Sequence, residues 1–220
     1  MVSKYLIHAC PDRMWYVNDY IIPSLQSQGI NSSAIDVGCD YDHLGCLEKC
    51  MEIFRYMVGS GATWHLQDDI IVSRDFRERT EKLVTNDKVI CGFSSQMDRN
   101  RNLVGVTKPE NMWWSFPCVM IPDSLARECA EWYYSFARGY AKYWEWVHMG
   151  KCDDNFFREF LLKNHPDIDV VNLSPNLVDH VDYLIGGSMV NTYRGNVRIV
   201  SNNFADEDLV DELSKKLESK

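Results

Sequence analysis

The stretch Trp64-His65-Leu66-Gln67-Asp68-Asp69-Ile70-Ile71-Val72 sets two adjacent carboxylates inside what otherwise reads as a buried β-strand. Like charges that close repel one another and burial penalises both, so the pair needs a cation or a set of donors to compensate it. A divalent metal is the obvious compensator, with Asp69 as its ligand. The plainer reading is a pair of solvated turn or capping aspartates. A second acidic pair, Asp153-Asp154, stands before the apolar positions Phe156, Phe157, Phe160 and Leu161, where one member also suits a helix N-cap. Late in the chain, His180 follows the apolar Leu177 and Val178 and precedes Val181. It presents a ring nitrogen at a sheet edge or packs there, hydrogen-bonded to its neighbours.

The elements that must carry these residues alternate strand and helix. Lys4 to Ala9 is an apolar strand, and Trp15, Val17, Tyr20, Ile21 and Leu25 recur at helical spacing up to Gly29. Ser33 to Val37 is a second strand, closing a βαβ unit. Leu44 to Val58 puts Leu44, Leu47, Met51, Phe54, Met57 and Val58 on one helix face, stopped by Gly59-Ser60-Gly61. Trp64 to Leu66 is the third strand, with Asp68-Asp69 at its carboxyl end, where open α/β sheets bind ligands. His65 is expected to alternate away from the site. Val89 to Phe93 and Trp113 to Ile121 read as strands, and Ser94 to Glu110 as a mobile active-site loop. Helices are expected from Asp123 to about Tyr134 and from Cys152 to Leu162, a strand from Val170 to Leu173, and a charged amphipathic helix from Asp206 to Lys220.

Composition bounds the answer. A chain of 220 residues that is 45% hydrophobic can bury a full core. The net charge of −9 argues against a general nucleic-acid binder, which carries a basic footprint. Apolar runs are too short for a membrane span or a signal peptide, so the expectation is a cytoplasmic protein. The eight cysteines are scattered through core-like segments and read as reduced thiols. Cys39, His43, Cys46 and Cys50 match no standard zinc spacing.

The order of a βαβ unit, a helix, a strand ending in Gln67-Asp68-Asp69, Asp153-Asp154 at a helix start and a late Leu177-Val178-Asp179-His180 resembles GT-A-fold glycosyltransferases. The nearest flavour is the small bacterial and phage-type enzymes, in which the Asp-X-Asp motif appears as an X-Asp-Asp ending. Gln67 replaces the first acidic residue of the stricter motif. The resemblance implies an α/β fold with a central mixed, mostly parallel sheet flanked by helices. It spans residues 1–190, divided into a nucleotide-binding half (1–93) and an acceptor half (94–190), with 191–220 as a C-terminal segment. It implies transfer from a nucleotide sugar, a UDP-sugar first, to an acceptor hydroxyl, with Mn²⁺ or Mg²⁺ bridging the departing diphosphate as a Lewis acid. His180 becomes the late metal ligand beside Asp69, and Asp68 binds donor-sugar or ribose hydroxyls. Asp154 becomes the general base of an inverting reaction, with Asp153 on acceptor or sugar hydroxyls. His8, Ala9 and Arg13 fall in the loop that receives the nucleobase and diphosphate, and Asp36 at the end of the second strand accepts from base or ribose. Arg13 is otherwise an ordinary surface arginine.

The acceptor is a saccharide, a wall polymer or a phage-type modified nucleic-acid base. Trp113, Trp114 and Phe116 suit a stacking platform for it, or the core. Two other classes stay open. A nucleotidyltransferase-like enzyme on a related fold would want a glycine-rich phosphate loop, which Ala9-Cys10-Pro11-Asp12-Arg13 is not. A non-catalytic carbohydrate-binding module would use the aromatic run from Trp132 to Trp146.

Overall fold

Alternation along the strands dictates a sheet covered on both faces. In β7 (Cys118–Pro122), Cys118 and Met120 enter one apolar core while Val119 and Ile121 enter another, and all are buried. The computed structural model describes residues 4–57, 61–94, 104–112, 116–139, 153–187 and 203–219. Its central sheet has seven strands in the order β2-β1-β3-β7-β5-β8-β6. These are β1 (Lys4–Ala9), β2 (Ile35–Cys39), β3 (Ala62–Gln67), β5 (Lys88–Cys91), β6 (Gly105–Thr107), β7 and β8 (Asp169–Asn172). Strands β2, β1, β3, β5 and β8 run one way, and β7 and β6 run against them. The sheet is therefore mixed and mostly parallel, flanked by helices, as expected for the fold class.

One face is covered by a helical stretch from α1 (Met14–Tyr16) to α2 (Ile22–Ser27), together with α4 (Phe76–Lys82) and α7 (Glu207–Glu218). Val17, Ile21 and Leu25, spaced four apart, are its buried stripe. A π-helical segment, Val17–Ile21, joins α1 to α2. The other face carries α3 (Cys46–Arg55), α5 (Asp123–Ser135) and α6 (Asp153–Asn164). Gly38 lets α3 sit close on β2, because a Cβ there would come within 2.4 Å of Ile53 Cδ1.

Outside the main sheet, β4 (Ile70–Val72) and β9 (Val178–His180) form an antiparallel ribbon, Ile70 opposite His180 and Val72 opposite Val178. Sequence reading missed β4 as a separate element, because the turn at Asp68-Asp69 falls inside one apolar run. It also missed α4, whose Phe76 and Thr80 alone are buried among charged residues. Strand β6 lies in the segment expected as a loop, pairing with β8. The second strand begins two residues later than expected. The C-terminal helix is tied down rather than frayed: Val210 and Leu213 join the core, and Arg74 pairs with Asp206 at 3.1 Å and Asp208 at 2.8 Å. Among the described residues no cysteine is in a disulfide, and no helix is long and apolar enough to cross a membrane.

Candidate active site

The carboxyl end of β3 turns sharply at Asp68 and Asp69, and the ribbon seats the late histidine against that turn. The backbone N–H of Val181 donates to Asp69 O at 2.8 Å, which brings His180 Nε2 to 3.3 Å from Asp69 Oδ2. On the other side of the imidazole, Nδ1 lies 3.2 Å from Asp182 Oδ1. Asp69, His180 and Asp182 are all buried, and one ligand atom from each lies within 4.8 Å of the others. Tyr16 OH donates to Ile70 O at 2.9 Å, so the helix preceding the π segment clamps the strand that follows Asp69.

Arg13 supplies the charge that the sequence alone left open. It is 4% exposed, not a surface arginine. Its guanidinium donates to Asp69 Oδ2 at 2.5 Å, to Asp68 Oδ1 at 3.1 Å and to the Gly187 carbonyl. Asp68 Oδ2 takes the backbone N–H of Cys10 at 2.7 Å, fixing the loop after β1 to the turn after β3. Burial penalises the charge on Asp69, but His180 and Arg13 outweigh it and hold the carboxyl well below the usual range. Asp68 moves the other way, raised by burial and then by Asp69. Burial disfavours the charge on His180 too, yet Asp69 and Asp182 lift its pKa to about 10.

The group suits a divalent cation in two respects. Asp69 Oδ1 is buried with no hydrogen-bond partner, an orphaned hard-oxygen donor beside a carboxylate and an imidazole. Binding through His180 would displace its proton, so uptake is expected to strengthen as pH rises. Arg13→Met leaves the aspartates without their guanidinium, and the expected loss of stability is about 3–5 kcal/mol without metal. Added Mn²⁺ should restore a large part of it. Thermal unfolding of the variant with and without Mn²⁺ tests this, and a melting temperature indifferent to the metal counts against a cation site here.

The second acidic pair opens α6. Asp153 is buried and Asp154 half-buried. Burial raises Asp153 to about 7, with Asp154 adding to the shift and Asp69 contributing, so Asp153 lies near enough to Asp69 to feel its charge. Asp154 is raised by burial. Asp153 Oδ1 accepts from Asp154 N and Asp154 Oδ1 from Asn155 N, at the first turn of the helix. Folding holds a proton on Asp153 that the unfolded chain, with a pKa near 3.8, releases, so stability falls as pH rises from 3.8 to about 7. Asp153→Asn removes this cost, on the order of 4 kcal/mol. It should melt about 8–16 °C above wild type at pH 8 and level with it at pH 4. Calorimetry across that range checks the sign.

The other expected residues divide. His8, half-buried at the carboxyl end of β1, pairs with Gly38 of β2 and Gln67 of β3 in register, and Ala9 is buried beside it. Asp36 does not join them. It is exposed and pairs with Leu6, toward the opposite end of β1, because β2 runs on to Cys39. Asp40, at the true strand end, instead takes the N–H groups of Leu44 and Gly45. Phe116 is core, packed on Phe54 and Phe157, and Trp113 and Trp114 lie outside the described residues. Trp132 packs against Phe156 and Phe160. The rest of that aromatic run, from 140, lies outside the described residues. His65 is fully buried on the sheet face beneath α3, where it shares a hydrogen bond with His8. Asp182 was missed, although its spacing of two from His180 was there to be read.

No protein-family model matches the chain, and no curated protein matches it. Solved structures to which the chain shows similarity include HddC from Yersinia pseudotuberculosis, at 12% identity over 58% of this chain and 80% of that one, with a TM-score of 0.32. They also include a "Putative Glucose-1-Phosphate Thymidylyltransferase" from Bacillus anthracis in complex with a sucrose. That match has 13% identity, covers 89% of this chain and 94% of that one, and has a TM-score of 0.45.

Proposed function

We propose that this protein is a metal-dependent transferase acting on a nucleotide-sugar donor, in the manner of GT-A glycosyltransferases. The observation that carries the reading is the meeting of charged groups from four distant parts of the chain at the carboxyl ends of β1 and β3. Those groups are Arg13 from the loop after β1, Asp68 and Asp69 after β3, and His180 with Asp182 from the late ribbon and the turn after it, while Asp153 at the start of α6, the fourth, feels the charge of Asp69. In open α/β sheets that edge is where ligands bind.

Asp69, His180 and Asp182 would hold the cation, Mn²⁺ or Mg²⁺, which when bound supplies positive charge for the departing diphosphate. Arg13 is the buried guanidinium nearest that position, and its planar donor set suits phosphate oxygens as well as carboxylates. Asp68, anchored by Cys10 N–H, offers an acceptor for sugar or ribose hydroxyls. His8 and Ala9 line the edge where the nucleoside would lie. Asp153 and Asp154 are the candidates to take the proton from the acceptor hydroxyl. Of the two, Asp153 suits the task better than the Asp154 expected from sequence. A base poised near neutral pH both accepts a proton and exists unprotonated in useful amount.

The deciding measurement is release of nucleoside diphosphate from a panel of sugar nucleotides, UDP-sugars first, with and without Mn²⁺. Metal-dependent release, increased by an added saccharide acceptor or by DNA carrying a modified base, supports the reading and identifies the acceptor class. Pyrophosphate release from a nucleoside triphosphate and a sugar 1-phosphate, with sugar nucleotides inert as donors, would move the chain to the nucleotidyltransferases. Inertness toward both donor classes would refute the proposal.

A further inference from the structure

On the face of β1 and β3 that lies beneath α3, two histidines are joined ring to ring. His8 Nε2 and His65 Nδ1 are 2.9 Å apart, and Phe54 packs edge-on to both rings. His65 has 0% exposure and its remaining nitrogen, Nε2, has no hydrogen-bond partner. His8 is half-buried, two residues before Cys10, whose N–H anchors Asp68. Burial keeps both rings neutral at physiological pH: His8 is lowered to about 4 by burial and then by Lys49, and His65 is held well below its usual value by burial and then by His8.

Two neutral rings share one hydrogen bond in either of two ways. If His8 donates from Nε2, His65 must carry its own proton on Nε2, as an N–H shut in an apolar pocket with no acceptor. If His65 donates from Nδ1, its Nε2 is a bare lone pair, and the proton of His8 moves to Nδ1 on the half-buried ring. Orphaned buried N–H groups are rarer than under-satisfied acceptors, which favours the second arrangement.

We propose that His65 is a positioning residue: its Nδ1–H donates to His8 Nε2 and fixes His8 as the Nδ1-protonated tautomer. His8 thus offers the nucleotide a neutral donor at the carboxyl edge of β1. The preferred ligand there is one with an acceptor oxygen, such as a nucleobase carbonyl. The role of the donor rests on the nucleotide-sugar reading; the tautomer does not.

Long-range ¹H–¹⁵N correlation spectra of the wild-type histidine rings at neutral pH read the tautomer directly. An Nδ1-protonated His8 is expected, and an Nε2-protonated His8 overturns the proposal whatever the protein binds. UDP binding with Mn²⁺ present then tests the consequence. His65→Phe keeps a ring in the pocket and removes the donor, so His8 should lose its fixed tautomer and UDP affinity should fall about tenfold. His65→Asn, whose amide N–H stands close to where Nδ1–H does, should restore both. Unchanged tautomer and affinity in His65→Phe would also sink the idea. If wild type fails to bind UDP while His8 is Nδ1-protonated, the nucleotide reading fails and the positioning role of His65 stands.

Discussion

Asp69→Asn is expected to weaken Mn²⁺-dependent binding of a nucleoside diphosphate by at least about 100-fold, while the protein remains folded. The substitution keeps the shape of the side chain but removes the anionic oxygens, one of which has no other partner in its buried position. Alanine is the poorer probe. It would remove the shape as well as the charge, leaving an empty buried position and no oxygen there to accept from Arg13. Loss of binding in an alanine variant would then confuse unfolding with loss of a ligand. Titration calorimetry of Asp69→Asn with Mn²⁺, beside a melting curve, separates the two. Affinity within a few-fold of wild type would end the metal assignment.

The second large effect is expected at the start of α6. If Asp153 is the proton acceptor, Asp153→Asn should lower turnover by about 10²–10⁴-fold with nucleotide affinity little changed, because the acceptor's proton then has no base to receive it. Asp154→Asn, at the more exposed position, should cost much less. Because the Asp153 carboxyl has a pKa of about 7, the turnover of wild type should rise with pH through that value and level off above it. The opposite ranking of the two variants would assign the base to Asp154. Transfer within a few-fold of wild type in both would leave the reaction without a base on this helix. Asp153→Asn is also the substitution expected to raise stability above neutral pH, so the same group that would drive the chemistry opposes the fold.

Much of the scaffold was legible because it is written in local patterns. The apolar run Lys4–Ala9 is β1 residue for residue, and the helix after Pro122 begins at Asp123. The doubled aspartate at the end of β3 stood out because nothing nearby in sequence could compensate it. The compensation came from Arg13, more than fifty residues earlier, and no local pattern distinguishes an arginine that will be buried by a distant partner from one that will stay in water. Asp36 was misplaced for a geometric reason: a boundary error of two residues in β2 moves a side chain most of the way along a short strand. The His8–His65 bond was hidden because pairing of β1 with β3 sets it, and one strand's alternation says nothing of its neighbour's register.

The ribbon of β4 and β9 has a consequence in time. It joins Asp69 to His180 through a short ladder that closes a loop of more than one hundred residues, and the main sheet can pair β1, β2 and β3 before any of that loop is in place. Contacts between residues so far apart bear the loop-closure entropy and tend to form late. On a ribosome, a chain paused after β3 would expose Asp68 and Asp69 beside Arg13 with no histidine to complete the set. The group of Asp69, His180 and Asp182 is thus assembled in a single step, when the segment from Val178 to Asp182 docks.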